Sequence, residues 1–193
     1  MNKHPLIAIT GGIGSGKSFV CRLLKQKGIE VYDCDAAAKR LMASDAKLQA
    51  ELSNVVGCEI FVDGVLQKPL LTKFLLESDT NKQAINDVVH PAVAADFLSS
   101  RYSWLESAIL FESGFDKRIC FDYIVGVTAP VDLRISRIMS RDNISKEQAE
   151  MWLRRQTSQQ DVANRCNFLI VNDGTTHLAT DIDAILEGIY QSK

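Results

Sequence analysis

The chain has 193 residues, 46% of them hydrophobic and 24% charged, a composition that builds a substantial core and excludes a disordered or fibrous protein. A net charge of −2 argues against a nucleic-acid-coating surface, and no apolar run has the length of a membrane span or the form of a leader. The 5 cysteines (Cys21, Cys34, Cys58, Cys120 and Cys166) are scattered without a C-x-x-C pair, which argues against disulfide and zinc scaffolds and fits a reducing compartment. The expectation is a cytoplasmic protein with no nucleic-acid or membrane partner.

Short apolar runs at 6–10, 29–32, 107–111, 123–128 and 168–171 read as strands. Helical patterns lie between them, so the expected class is α/β, with a five-stranded parallel sheet flanked by helices. After the first run comes Gly11-Gly12-Ile13-Gly14-Ser15-Gly16-Lys17-Ser18, which satisfies G-x-x-x-x-G-K-[ST]. Glycines let backbone amides close on phosphate oxygens, Lys17 supplies a charge at the β/γ-phosphates, and the Ser18 hydroxyl suits Mg²⁺. Phe19, Val20, Leu23 and Leu24 then repeat at helical spacing, so the loop opens a helix whose N-terminus favours anions.

Ligands of open α/β sheets gather where strands end. The run at 29–32 leads into Asp33-Cys34-Asp35, acids suited to orienting a hydroxyl, taking its proton, binding Mg²⁺ through water, or capping the helix over Ala36–Ala38. The long gap before 107 holds a turn at Val62-Asp63-Gly64 and helical patterns at 69–77 and 81–100, and reads as a helical insertion. Within it, Pro91 starts or kinks a helix with His90 near its N-terminus, where a lone histidine is more often a packing or capping residue than a catalyst. The run at 107–111 ends in Glu112, either a Mg²⁺ or substrate ligand or an ordinary strand end.

Pro130 opens a long helical stretch in which Arg134, Arg137 and Arg141 share one face. That face is either a lid closing on phosphate, with Arg137 and Arg141 the preferred contacts, or a solvated basic surface. The last run leads into Asn172-Asp173-Gly174, which could meet an adenine edge or be only a turn. His4 and His177 read as surface or terminal residues, and Trp104 and Trp152 as packing. The organisation expected is one domain, with a core of 1–35, 105–130 and 166–193, an insertion of 36–104 and a lid of 131–165.

No D-x-x-G occurs, and Asn81-Lys82-Gln83-Ala84 lacks the acid of a guanine-reading N-K-x-D, so a GTPase is disfavoured. The residue chemistry stops at ATP donating to a small acceptor.

Thr10 through Ser18, Asp33-Cys34-Asp35, His90-Pro91, Leu110-Phe111-Glu112, Arg137 through Asp142 and Asn172-Asp173-Gly174 occur in an order that resembles the dephospho-coenzyme A kinases over essentially the whole chain. The resemblance implies a P-loop kinase fold like that of nucleoside monophosphate kinases, with a helical acceptor-binding insertion and an arginine-rich lid. It implies transfer of the γ-phosphate of ATP, with Mg²⁺, to the ribose 3′-hydroxyl of dephospho-CoA, by a monomer or weak homo-oligomer. It makes Asp35 the base or hydroxyl-orienting group beside Asp33, makes Lys17 and Arg141 the stabilisers of the transferred group, and puts His90 and Glu112 on the acceptor side. Residues 11–18, Asn172 and Gly174 become the nucleotide site, with Ser18 on the metal. Ala108 stands where the family usually has proline, Cys166-Asn167 where it has Ala-Asp, and Arg134 where glutamine is frequent. The rivals are a nucleoside or nucleotide kinase of the same fold and, from another class, a nucleotide-dependent switch.

Overall fold

The computed structural model describes residues 4–174 and 178–191, so His177 lies outside the described residues. Strand β1 (Ile7–Thr10) is buried along its whole length, with Ile7, Ala8 and Ile9 fully inaccessible. Such a strand needs apolar side chains on both faces, as the centre of a parallel sheet requires. It pairs with β5 (Trp104–Glu106) on one side and β6 (Tyr123–Thr128) on the other, both parallel, and β6 pairs in parallel with β7 (Phe168–Val171). With β2 (Val31–Asp33) at the edge, the order is β2-β5-β1-β6-β7. Helix α1 (Lys17–Gln26) and helix α10 (Leu178–Gln191) pack Val20, Leu24, Ile182, Ile185 and Ile189 against this sheet.

The run expected as a strand over 107–111 is not one. The strand is β5, three residues earlier, and Ser107 makes its final bond to the sheet by donating to Ile9 O (3.0 Å). The chain then curls: Ser113 donates to Ile109 O (2.8 Å) and Phe115 to Leu110 O (3.1 Å), ahead of the short α6 (Phe115–Arg118). Leu110 and Phe111 are apolar because they are buried in this turn, and an apolar run alone does not separate the two cases. The edge strand likewise begins at Val31, with Ile29 packed on the core from outside it.

By compactness the chain divides into two units, one of Asp33–Arg101 with Lys117–Ile119 and the other of the remainder. The first holds α2 (Cys34–Ser44), α3 (Ala46–Val56), the hairpin β3 (Phe61–Val62) and β4 (Val65–Leu66), α4 (Lys68–Glu77) and α5 (Asp79–Ser99). The hairpin turns on Asp63 and Gly64, both at positive φ, which accounts for the glycine. Helix α5 passes straight through Pro91, so His90 lies in mid-helix and not near an N-terminus. Proline lacks the N–H of that turn, but Val89, Val93 and Phe97 are buried along the same helix and hold it.

The stretch after Pro130 is broken into α7 (Val131–Asp142), α8 (Lys146–Arg154) and α9 (Gln159–Asn164). Asn143, left-handed at φ 52°, stops α7, and a Ser145–Gln148 capping box starts α8. These helices belong to the sheet-containing unit. α7 and α8 share a small core of Ile135, Ile138 and Ala149, which also takes in Ile13 of the glycine-rich loop.

Candidate active site

The loop of residues 11–18 joins the central strand to the N-terminus of α1. Gly16 occupies the cap position at φ 92°, and a side chain there would collide with the Asn172 amide. At Gly11 (φ 150°) a Cβ would strike Val127 O. The loop therefore needs bare backbone at Gly11 and Gly16 where it turns onto the start of a helix, whose N-terminus favours anions. Ser15 Oγ is buried within it and has no hydrogen-bond partner among the described residues. A glycine cradle, a helix N-terminus and an orphaned buried hydroxyl fit a polyphosphate.

Lys17 is only 9% exposed; its Nζ donates to Gly11 O (2.7 Å) and lies 3.8 Å from a Glu106 carboxylate oxygen. Glu106 is the last residue of β5, in register with Ile9 of β1. It is the acid at the strand tip, the place the sequence reading gave to Glu112. Glu112 instead lies in the following turn, exposed, accepting from Thr157 Oγ1 (2.5 Å) and Thr157 N (3.2 Å). The signal for Glu106 was available, an acid ending Trp-Leu-Glu, but the longer apolar run after it drew the strand assignment away. Ser18, the second residue of α1, is exposed. Among the described residues no three His, Cys, Asp or Glu side chains cluster as metal ligands, so a cation here would rest on Ser18, phosphate oxygens and water, with Glu106 near Lys17.

Beside the loop opens a cleft of about 520 Å³, lined by Gly16, Phe19, Leu23, Arg137, Asn172, Gly174, Leu178 and Ala179. Exposed Phe19, with Leu23 at the margin of the core, gives this cleft an apolar wall next to the glycine-rich loop, as a nucleoside requires. Asn172 is buried: its Nδ2 donates to Ser15 O (3.0 Å), its Oδ1 accepts from Arg137 Nη2 (3.0 Å), and its N–H holds Thr128 O (2.7 Å). Its amide braces the loop against the sheet.

The arginines of α7 part company. Arg134 is buried, which pulls its guanidinium below the ordinary value; Nε donates to Ile13 O (2.8 Å). Arg137 is half-buried and donates to Gly14 O (3.2 Å) and Ser15 O (3.4 Å) as well as to Asn172. Arg141 is exposed and forms a two-pronged pair with Asp142, which raises its pKa. Gln156, which sequence reasoning passed over, accepts from Ile13 N (2.8 Å). A glutamine near a helix end carries no signature by which to find it.

In the other unit, Asp33 caps α2 by accepting from Ala36 N (2.9 Å), and Asp35 sits exposed in the first helical turn. Of the two readings for this pair, capping falls to Asp33. His90 is half-buried in α5.

A central parallel strand, a glycine-rich loop with a buried lysine, a helix opening on it and an apolar cleft at its side define a P-loop kinase. The family comparison narrows this further: residues 5–177 match the model of the dephospho-CoA kinases, and the chain belongs to that family. It is similar to the dephospho-CoA kinase of Bacteroides fragilis (42% identity, covering 96% of this chain and 93% of that one) and of Porphyromonas gingivalis (37%, covering 95% and 93%). Among solved structures it superposes on a Thermus thermophilus protein with a TM-score of 0.78 at 31% identity, covering 96% of this chain and 98% of that one. A shikimate kinase from Acinetobacter baumannii shares the fold alone, at a TM-score of 0.52 and 18% identity over 99% of this chain and 96% of that one.

Proposed function

We propose that the chain transfers the γ-phosphate of ATP to the ribose 3′-hydroxyl of dephospho-CoA, the step that completes coenzyme A. The observation that carries this is the glycine cradle closed around a buried Lys17 beside an apolar cleft, in a chain of this family. ATP lies with its phosphates on residues 11–18 and its nucleoside in the cleft bounded by Phe19, Asn172 and Gly174.

Lys17, already held beside Gly11 O, neutralises charge on the β/γ-phosphates. Mg²⁺ would be held by Ser18 and by water near Glu106, and would supply further neutralisation of the phosphate oxygens. Asp35, left free of the capping that occupies Asp33, orients the acceptor hydroxyl and takes its proton. Asp33, His90 and Glu112 serve the acceptor side, with the insertion of 36–104 as its binding region. Arg141 and Arg137 in the lid of 131–165 stabilise the transferring group. The protein works in the cytoplasm as a monomer or weak homo-oligomer, without nucleic-acid or membrane partners; among the described residues no helix is long and apolar enough to cross a membrane.

The test uses purified protein with MgATP and either dephospho-CoA or its 3′-deoxy analogue. ADP should form with the first and not the second. Equal ADP release with both would sink the assignment of the hydroxyl.

A further inference from the structure

Ile13, at the crown of the glycine-rich loop, is held by three separate contacts from the segment that follows Pro130. Its carbonyl accepts from Arg134 Nε (2.8 Å), its N–H donates to Gln156 Oε1 (2.8 Å), and its side chain packs in the small core shared by α7 and α8. Arg134 Nη2 also reaches Gln156 Oε1 (3.4 Å), which closes the bracket. The fit is tight enough that a methyl group at Gly12 would have to displace both side chains.

A trans peptide sets its C=O and N–H pointing opposite ways. Arg134, by holding the Ile13 carbonyl, therefore fixes the Gly14 N–H of the same peptide on the side away from itself. The cationic donor also polarises that peptide and so strengthens its N–H as a donor. Its charge, held among the helices behind the loop and partly desolvated, adds to the field that attracts an anion. Arg134 thus acts on phosphate through the loop and not by touching it. Gln156 holds the N–H side of the same residue.

We propose that Arg134 and Gln156 are positioning residues that set the phosphate-binding geometry of the loop by gripping the two backbone groups of Ile13. The proposal rests on the reading of residues 11–18 as the ATP phosphate site.

The experiment compares binding of MgATP and of adenosine, each without acceptor, to wild type, Arg134→Met, Arg134→Lys, Gln156→Met and the double Met variant. Adenosine fills the cleft but has no phosphates, so a general loss of folding weakens both ligands alike. Losing a charge-assisted or buried bond at the loop should weaken MgATP about 10- to 100-fold. Adenosine should change less than about twofold, since no phosphate contact is lost. Arg134→Lys, which keeps a cationic donor for Ile13 O, should recover most of the loss. If either Met variant fails to fold, the Lys variant and the other single variant still read the same ratio. Equal weakening of both ligands, or unchanged MgATP binding, would overturn the bracket. Failure of wild type to bind MgATP would overturn the phosphate-site reading itself, whatever the variants do.

Discussion

Lys17 and Asp35 divide the proposed chemistry between charge and geometry. Lys17 is buried against Gly11 O and Glu106, ready as a fixed cation, whereas Asp35 is exposed at the start of α2 with its neighbour Asp33 engaged as the cap. Replacing Asp35 with Asn removes a proton acceptor and leaves the phosphate loop intact. It should lower kcat about 10²- to 10⁴-fold with ATP affinity nearly unchanged. Steady-state kinetics beside ATP titration decide it, and wild-type turnover in the variant would remove Asp35 from the mechanism. The cysteines supply a second test at this scale. Burial pushes the Cys166 thiol up to about 11, a rise only partly offset by nearby Arg165, while Cys58 and Cys120 are exposed. A raised pKa keeps the thiol protonated at pH 8, so Cys166 should be alkylated more slowly than Cys58 and Cys120, gaining reactivity only as pH climbs toward its own value. Peptide mass mapping of iodoacetamide-treated native protein would show this, and labelling of Cys166 as fast as Cys58 at pH 8 would contradict it.

At the scale of elements, the loop is anchored on one side by α7 and α8 and on the other by the residue that follows β7. Asn172 carries that second anchor by joining Ser15 O to Arg137 from a buried position. Asn172→Ala leaves a buried carbonyl and a guanidinium short of a partner, a loss of about 1–3 kcal/mol. In a chain of this size that lowers Tm by several degrees, about 2–4 °C for each kcal/mol. ATP affinity should fall too, since Gly16 loses its neighbour. A thermal melt within a degree of wild type would mean that the brace is redundant. The loop itself was legible because its chemistry demands glycines at fixed spacing and a Lys-Ser pair after them. The arginine face of α7 was legible as a period, but not the loop carbonyls that Arg134 and Arg137 meet, because these lie more than a hundred residues away in sequence. Glu106 was hidden by a rule of composition: apolar residues at 107–111 are buried in a turn, and burial looks the same in a turn as in a strand. Gln156 has only a neutral amide, so nothing short of the fold brings it to Ile13.

For the whole molecule, the order β2-β5-β1-β6-β7 puts the loop after the central strand, with the tips of β5 and β6 on either side. The parallel five-stranded class of that sheet was readable from the alternation of apolar runs and helical patterns, but the order of its strands was not. A shikimate kinase shares this fold at 18% identity, and a shared fold does not fix the acceptor. The most direct measurement is phosphoryl transfer from MgATP to dephospho-CoA, adenosine, AMP and pantothenate offered separately, with the mass of each product read out. The expected result is the gain of one phosphate on dephospho-CoA alone. A phosphate on one of the other acceptors instead, or on none while ATP still binds, would contradict the proposed function.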